Sequence, residues 1–270
     1  MNNVLCYDPL KQLTGTFFSK TTWLRRILYR ILDAIILRSW HLHREIAIWA
    51  KGNKGSLHIL DAGCGFGQYS YFLHKINPEY NILGVDQRCN QVCRCNDFIR
   101  KRELTKLHFK TENLTDFVYH SAFDLILCVD VMQYIENDQK VFENFFYNLT
   151  DNGILLLSAP TSEGTTNKPV YKSDDLPLFR VGYAVNELKA RLKEIGFKKV
   201  RTRYTYGKPG QFSWILSIKI PTMLLSWSKI FIYILPLYYF IIFPICVLLN
   251  FIDTRMGHLN GKAFILKAYK

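Results

Sequence analysis

The glycine-rich segment at residues 58–70, HILDAGCGFGQYS, constrains the fold of this chain more than any other stretch. An apolar run ending in Asp61 indicates a buried strand, and glycines follow at positions 63, 65 and 67. Glycine lets the backbone pass close to a ligand where a Cβ atom would collide, and it permits positive φ angles. A strand, a glycine turn and a helix in succession are typical of nucleotide-binding α/β domains.

The glycine spacing differs from the dinucleotide-binding fingerprint, which is GxGxxG. Here the pattern is Asp61-x-Gly63-x-Gly65-x-Gly67, with one residue fewer before the third glycine. The next apolar run, YNILGVD, ends in Asp86, and an acid at the tip of the neighbouring strand can accept both hydroxyls of a ribose. The pattern therefore favours a nucleoside ligand other than a dinucleotide.

Short apolar runs alternate with helical patterns along most of the chain. The predicted strands are LHILDA, YNILGVD, KLHFKT, FDLILCV, GILLLSA, GFKKVRTRYTY and GKAFILKAYK. Helices are predicted near residues 67–76, 90–103, 139–149 and 186–195, and an amphipathic leading helix over 22–48 with Leu24, Leu28, Ile31 and Ile35 on one face. This alternation implies βαβ units and a parallel sheet with helices on both faces.

These motifs together resemble the class I S-adenosylmethionine-dependent methyltransferases. The resemblance implies an α/β, Rossmann-like sheet of seven strands whose last strand, here GKAFILKAYK, is antiparallel and lies beside the sixth. It also implies the cofactor S-adenosyl-L-methionine, with Asp61 facing the amino group of its methionine portion. Asn113 stands before Leu114 where similar enzymes often have Asp, and its amide oxygen can accept the same hydrogen bond from adenine. The implied cofactor-binding residues are Asp61, Gly63, Cys64, Gly65, Gly67, Asp86, Gln87, Asn113, Leu114 and Asp130.

Two further segments bear on the acceptor side of the site. The stretch VDVMQYI at residues 129–135 matches the part that lines the sulfonium side of the pocket in the family, and its Asp130 is either a ligand or a helix N-cap. The loop after the fifth strand builds the acceptor pocket in family members. The catalytic residue is not identified by sequence; the candidates are Tyr134, Glu163, Arg180 and Tyr183, with Tyr171, Asp174 and Asp175 in the same loop. Residues of these types in such a loop are more often solvated than catalytic, and a base is needed only if the acceptor must lose a proton.

An apolar insertion at residues 212–255 separates the sixth and seventh predicted strands. Residues 230–249 contain no charged side chain and are long enough to cross the hydrocarbon core of a bilayer. A single span would leave the last strand on the wrong side of the membrane, so we predict a kinked, re-entrant or interfacial hairpin with breaks at Pro236 and Pro244. A buried lid or a dimer surface is the alternative.

The charge of the chain favours an anionic partner. A formal net charge of +13 accompanies a hydrophobic content of 49%. No basic stretch interleaves with exposed aromatic residues outside the apolar segments, which favours an anionic membrane surface and argues against nucleic acid. The first fifteen residues lack an apolar core of signal-peptide length, so we expect a cytoplasmic protein, peripheral or monotopic at the inner face of the cytoplasmic membrane.

The seven cysteines are expected to be reduced thiols. Cys89, Cys93 and Cys95 form the one cluster that merits comparison with a metal site, but their spacing lacks the paired CxxC pattern of structural zinc sites. We therefore predict no metal site, and expect these cysteines on the solvent side of a helix.

The predicted organisation is an N-terminal helical segment (1–50), a cofactor-binding methyltransferase domain (51–211 plus 256–270) and the membrane-associating insertion (212–255). The predicted function is methyl transfer to a hydrophobic or membrane-associated small-molecule or lipid acceptor, by O- or C-methylation. The alternative is a catalytically silent subunit of the same fold that anchors a partner enzyme at the membrane.

Overall fold

The computed structural model describes residues 21–162 and 177–270. Within residues 21–57, two helices precede the sheet, α1 (Thr22–Ile35) and α2 (Leu37–Lys51), where the periodicity predicted one. The break lies at Ile36, whose backbone is extended at φ −87° and ψ 111°. Leu28, Tyr29, Leu42 and Ile46 are buried, whereas Ile31, predicted on the apolar face, is 42% exposed. The two helices therefore pack against the core of the domain along different faces.

A seven-stranded sheet forms the centre of the molecule in the order β3-β2-β1-β4-β5-β7-β6. Its strands are β1 (His58–Ala62), β2 (Asn81–Asp86), β3 (Leu107–Thr111), β4 (Phe123–Val129), β5 (Leu149–Pro160), β6 (Lys199–Thr205) and β7 (Ala263–Tyr269). The last strand pairs antiparallel with both β5 and β6, and the remaining neighbours are parallel. The predicted sheet, with an antiparallel last strand beside the sixth, is confirmed.

Helices cover both faces of the sheet because successive residues of the central strands are apolar. They are α3 (Gln68–Ile76), α4 (Cys89–Lys101), α5 (Asp138–Asn148) and α6 (Val185–Ile195). Leu60 and Ile126 pack on one side with Phe142, while the adjacent Ile59 packs on the other side with Leu42. Strands buried on both faces are expected to be continuously apolar, as these are.

The insertion between β6 and β7 is a helical hairpin, residues 208–255. Its first arm contains α7 (Lys208–Trp214), a π-helical turn (Ile215–Lys219) and α8 (Ile220–Trp227); a 3₁₀ turn (Lys229–Tyr233) leads into the second arm, α9 (Leu235–Arg255). The arms are tied by two hydroxyls, because Tyr238 donates to the carbonyl of Leu216 and Tyr239 to that of Ser217, each at 2.7 Å.

The prolines do not break the second arm. Pro236 lies in the first turn of α9, where its missing N–H would have no helical partner. Pro244 lies inside the helix, which continues on both sides of it. The predicted break at Pro244 is therefore wrong: the hairpin bends at residues 228–234.

Candidate functional site

The glycine loop after β1 has a backbone that only glycine accommodates. Gly63 has a φ of +75°, and a Cβ atom there would lie 2.2 Å from Cγ2 of Val131. Gly65 has a φ of +53°, and its N–H donates to Oδ2 of Asp86 at 2.9 Å. The loop is thus held against the end of β2, with its backbone open toward the space in front of the strands.

Asp86 is the most strongly oriented carboxylate of this region. It is 6% exposed at the carboxyl end of β2. Besides the bond from Gly65, its Oδ1 accepts from the backbone N–H of Arg88 at 2.9 Å and from Nε of Arg88 at 3.0 Å. Nη2 of Arg88 reaches Oδ2 at 3.2 Å. Of these four hydrogen bonds to Asp86, two therefore come from backbone N–H groups, and two come from the side chain of Arg88, which is 37% exposed.

A cavity of about 150 Å³ opens beside Asp86 at the carboxyl ends of the strands. It lies where β1 pairs with β2 on one side and β4 on the other, the switch point at which open α/β sheets bind ligands. The predicted cofactor residues that line it are Gly63, Cys64, Gly65, Asp86, Gln87, Asn113, Leu114 and Asp130. Motifs that are far apart in the sequence therefore converge on one cavity.

Asp61 and Gly67 are not among the residues that line this cavity. Asp61 is 2% exposed, and one carboxylate oxygen accepts a 2.5 Å hydrogen bond from the hydroxyl of Ser70. Burial raises the pKa of Asp61 to about 6. Asp61 therefore lies buried near the carboxyl end of β1, just before the glycine loop, and its ionised form is costly in the ligand-free protein.

Replacing Asp61 with asparagine is expected to stabilise the ligand-free protein by about 2 kcal/mol above pH 7. Because the folded-state pKa is raised, the contribution of Asp61 to stability is full below about pH 4 and is lost as the pH rises through about 6. Urea denaturation across this range should show that loss for the wild type and not for Asp61→Asn. The exposed Asp116→Asn serves as control. Identical pH profiles for wild type and Asp61→Asn would contradict the assignment.

Asp130 is not a helix N-cap. The N-cap of the following 3₁₀ turn (Met132–Tyr134) is Val131, and no side chain caps it. Asp130 has a φ of +52°, and its carboxylate forms an ion pair with Arg38 of α2. Arg38 lines the cavity with it, although no sequence motif points to Arg38. The only sequence signal was an arginine in a predicted amphipathic helix, which does not specify what the side chain contacts.

Two polar residues follow β3, Glu112 and Asn113, and Asn113 was expected to accept a hydrogen bond from adenine. Oδ1 of Asn113 accepts from the backbone N–H of Thr115 at 3.2 Å, so the amide oxygen stabilises its own turn. Glu112 lines the same cavity and is exposed. A carboxylate acceptor is therefore available next to Asn113 on this wall.

Arg180 and Tyr183, two of the catalytic candidates, do not line the cavity. Nη1 of Arg180 donates to the carbonyls of Met132 and Ile135, each at 2.6 Å. Tyr183 is 5% exposed, and its hydroxyl donates to Asp138 at 2.7 Å. Burial, reinforced by Asp138, raises the pKa of Tyr183, so its hydroxyl stays protonated and is not available as a general base near neutral pH. These two side chains contact the loop after β4 and the helix that follows it, and their role toward the acceptor stays a prediction.

Of the other catalytic candidates, one lies in the described part of the chain. Tyr134 lines the cavity. Glu163, Tyr171, Asp174 and Asp175 lie outside the described residues.

The cysteines of α4 do not share one environment. Cys89 and Cys93 are exposed with their sulfur atoms 3.7 Å apart, but Cys95 is buried, which corrects the expectation for that residue. Its sulfur accepts from Nη2 of Arg25 at 3.0 Å, and the same nitrogen donates to the carbonyl of Phe66 at 2.7 Å. Arg25 thus joins α1, α4 and the glycine loop. Within residues 21–162 and 177–270, no group of three or more His, Cys, Asp or Glu side chains could hold a metal ion.

Comparison with curated proteins finds methyltransferases. The malonyl-[acyl-carrier protein] O-methyltransferase of Bacteroides helcogenes is 28% identical over 168 residues, covering 55% of this chain and 59% of that protein. The ubiquinone biosynthesis O-methyltransferase of Rickettsia typhi is 24% identical over 102 residues, covering 38% of this chain and 40% of that protein. The similarity to these two relatives therefore spans less than two thirds of their length.

Solved structures share the fold at low identity. Phosphoethanolamine N-methyltransferase 2 of Haemonchus contortus, in complex with S-adenosyl-L-methionine, matches with a TM-score of 0.60 at 15% identity, covering 94% of this chain and 59% of that one. The [4+2]-cyclase SpnF matches with a TM-score of 0.57 at 18% identity, covering 84% and 81%. Since a cyclase has this fold, the fold alone does not specify the reaction. The family model for the methyltransferase domain matches residues 53–201, more than half of the chain, and this protein therefore belongs to that family, the class I S-adenosylmethionine-dependent methyltransferases.

Proposed function

We propose that this protein transfers a methyl group from S-adenosylmethionine to an apolar small-molecule or lipid acceptor at a membrane surface. The observation that carries the proposal is the position of the exposed apolar hairpin. Its base docks on α2, the helix that supplies Arg38 to the cavity, through a 2.8 Å contact between His41 and Asp253. The cavity and the apolar surface are thus joined by one helix.

The residues around the cavity fit the nucleoside part of the cofactor. The exposed side chain of Arg88 supplies two of the contacts to Asp86, and its displacement would free lone pairs on both carboxylate oxygens for a vicinal diol. The backbone bonds from Gly65 and Arg88 would keep the carboxylate oriented. When bound, S-adenosylmethionine supplies an electrophilic methyl group on a sulfonium centre. The chain's own residues then have mainly to bind and orient both ligands.

The surface of the hairpin supports membrane contact. Helix α9 is long and apolar enough to cross a membrane, and 11% of its most apolar stretch is buried. Trp227 is 72% exposed, Tyr233 83% and Phe240 81%, all at or near the bend of the hairpin. Exposed apolar patches of this kind mark interaction surfaces, and this exposure argues against a buried lid.

The ends of the hairpin favour a monotopic arrangement over a single span. Both arms connect to strands of one sheet, β6 and β7, so both ends lie on the same side of a bilayer. Lys208, Arg255 and Lys262 are exposed near these ends. Cations there would lie at the level of anionic headgroups while the bend enters the apolar layer, which fits the cytoplasmic face of a membrane.

Replacing Trp227, Tyr233 and Phe240 together with asparagine is expected to weaken binding to vesicles at least about tenfold, because three apolar side chains would no longer enter the bilayer. Co-sedimentation with vesicles containing phosphatidylglycerol measures this, at low and high salt. The control is Tyr147→Asn, which removes an aromatic ring that is 54% exposed on α5. Wild-type protein that ignores vesicles but dimerises through these residues in sedimentation velocity would contradict membrane contact.

Methyl transfer itself is tested with labelled cofactor. Incubation with S-adenosylmethionine carrying a labelled methyl group and a total membrane-lipid extract should place label in the organic phase. A protein that binds the cofactor but labels no component of lipid, small-molecule or protein fractions would instead be the catalytically silent subunit.

A further inference from the structure

A second cavity of about 70 Å³ adjoins the first. Arg38, Asp130 and Gln133 line both cavities, so the two are separated only by this shared wall. The opposite wall belongs to the first arm of the hairpin, where Trp214 and Ile218 face the space. The second cavity therefore lies between the nucleoside-binding cavity and the base of the apolar hairpin.

Two residues that line this cavity each carry a buried polar atom with no hydrogen-bond partner in the described part of the chain. One is Oε1 of Gln133, a residue that is 7% exposed, and the other is Nε1 of Trp214. The main chain of Gln133 is held firmly, because its carbonyl accepts from the N–H of Phe179 at 3.0 Å and of Arg180 at 3.3 Å. Buried polar groups are nearly always paired, and these two are an acceptor and a donor.

The rest of the cavity lining indicates what kind of molecule would form hydrogen bonds with these two atoms. Much of the lining is apolar, including Ile36, Leu37 and Ile218. Three of the other polar side chains are already paired, because Arg38 forms an ion pair with Asp130 and the Ser213 hydroxyl donates to Asn250 at 2.7 Å. The hydroxyl-bearing residues Tyr206 and Ser217 also line the cavity.

A hydroxyl group both donates and accepts, whereas a carboxylate only accepts and an ammonium only donates. We propose that this second cavity binds the methyl acceptor, and that the acceptor is an apolar alcohol or phenol whose hydroxyl donates to Gln133 and accepts from Trp214. The inference rests on the proposed function, since it names the acceptor class for that site. Gln133 and Trp214 are positioning and specificity residues in it, and the hairpin supplies one wall of the acceptor site in addition to its membrane surface.

Phenol and toluene, which differ by a hydroxyl in place of a methyl group, are suitable probes. Their binding to the full chain, saturated with S-adenosylhomocysteine, is measured by ligand-observed NMR. We expect phenol to bind at least about tenfold more tightly than toluene, because only phenol pairs both atoms. Gln133→Leu and Trp214→Phe should each reduce this preference to within about threefold.

A matched control is Gln91→Leu. Oε1 of Gln91 is also buried and unpartnered, but Gln91 lines neither cavity, so its loss should leave the preference unchanged. The indole N–H resonance that Trp214→Phe removes should shift when phenol is added to the wild type. Thermal unfolding reports whether each variant is folded, and the affinity for S-adenosylhomocysteine reports whether the nucleoside-binding cavity, which Gln133 also lines, is intact.

Equal binding of phenol and toluene by the wild type would overturn the inference, as would a preference that survives both substitutions. If S-adenosylhomocysteine binds but the preference is absent, only the acceptor site is wrong. If S-adenosylhomocysteine does not bind to the wild type at all, the proposed function itself fails.

Discussion

Replacing Asp86 with alanine is expected to weaken the binding of S-adenosylmethionine by about 2 to 4 kcal/mol, the scale of two charge-assisted hydrogen bonds. The carboxylate is 6% exposed, lines the cavity and is oriented by backbone N–H groups of Gly65 and Arg88. Its loss would remove the acceptor for the ribose hydroxyls and one anchor of the glycine loop. Titration calorimetry with S-adenosylmethionine and S-adenosylhomocysteine measures the effect.

The control for this substitution is Arg88→Gln. The backbone bond from residue 88 to Asp86 would remain, and only the exposed side-chain contacts would be lost, so the affinity should change by less than about threefold. Thermal unfolding separates a loss of affinity from a loss of folding. Unchanged cofactor affinity in Asp86→Ala, or a preference of the wild type for NAD, would contradict the assignment of the cavity.

Replacing Asp253 with alanine is expected to lower the free energy of unfolding by about 3 to 5 kcal/mol, because a buried pair loses one partner. Asp253 is fully buried at the base of the hairpin. Its carboxylate contacts Nε2 of His41 at 2.8 Å and the N–H of Gly210 at 2.9 Å, and Nε2 of His258 lies 3.2 Å away. One side chain thus joins α2, both arms of the hairpin and the loop before β7.

Urea denaturation of Asp253→Ala measures this loss. The control is Asp97→Ala, which removes a 2.8 Å ion pair with Arg100 at an exposed site and should cost less than about 1 kcal/mol. A loss as small as that of the control would mean that the hairpin docks on the domain without Asp253. The hairpin would then be a loosely attached element, and its link to the cavity through α2 would not hold.

Most of the predictions that the structure confirms depend on local sequence pattern, namely the spacing of apolar residues and glycines. The seven strands and the helices between them follow from runs of apolar residues with short, regular connections, and the antiparallel last strand follows from the resemblance to class I methyltransferases. The glycine loop was identified because glycine at alternate positions after a strand has few other uses, and Asp86 because it ends the next strand. The expectations that failed concern where helices break, at Ile36 and not at Pro244, and what individual side chains contact. Arg180 has the sequence context of a binding residue, yet its guanidinium donates hydrogen bonds to three main-chain carbonyls.

The amino-acid sequence by itself determined the order of strands and helices, the nucleoside-type glycine loop and the presence of a long apolar insertion. Each of these depends on the period of apolar residues or on backbone freedom, which neighbouring residues specify. Only the tertiary structure decided that Arg38 pairs with Asp130, that Cys95 is buried against Arg25, and that Gln133 and Trp214 line the same second cavity. These contacts join residues far apart in the chain, and their energies depend on burial and distance, which exist only once the sheet has brought the strand ends together.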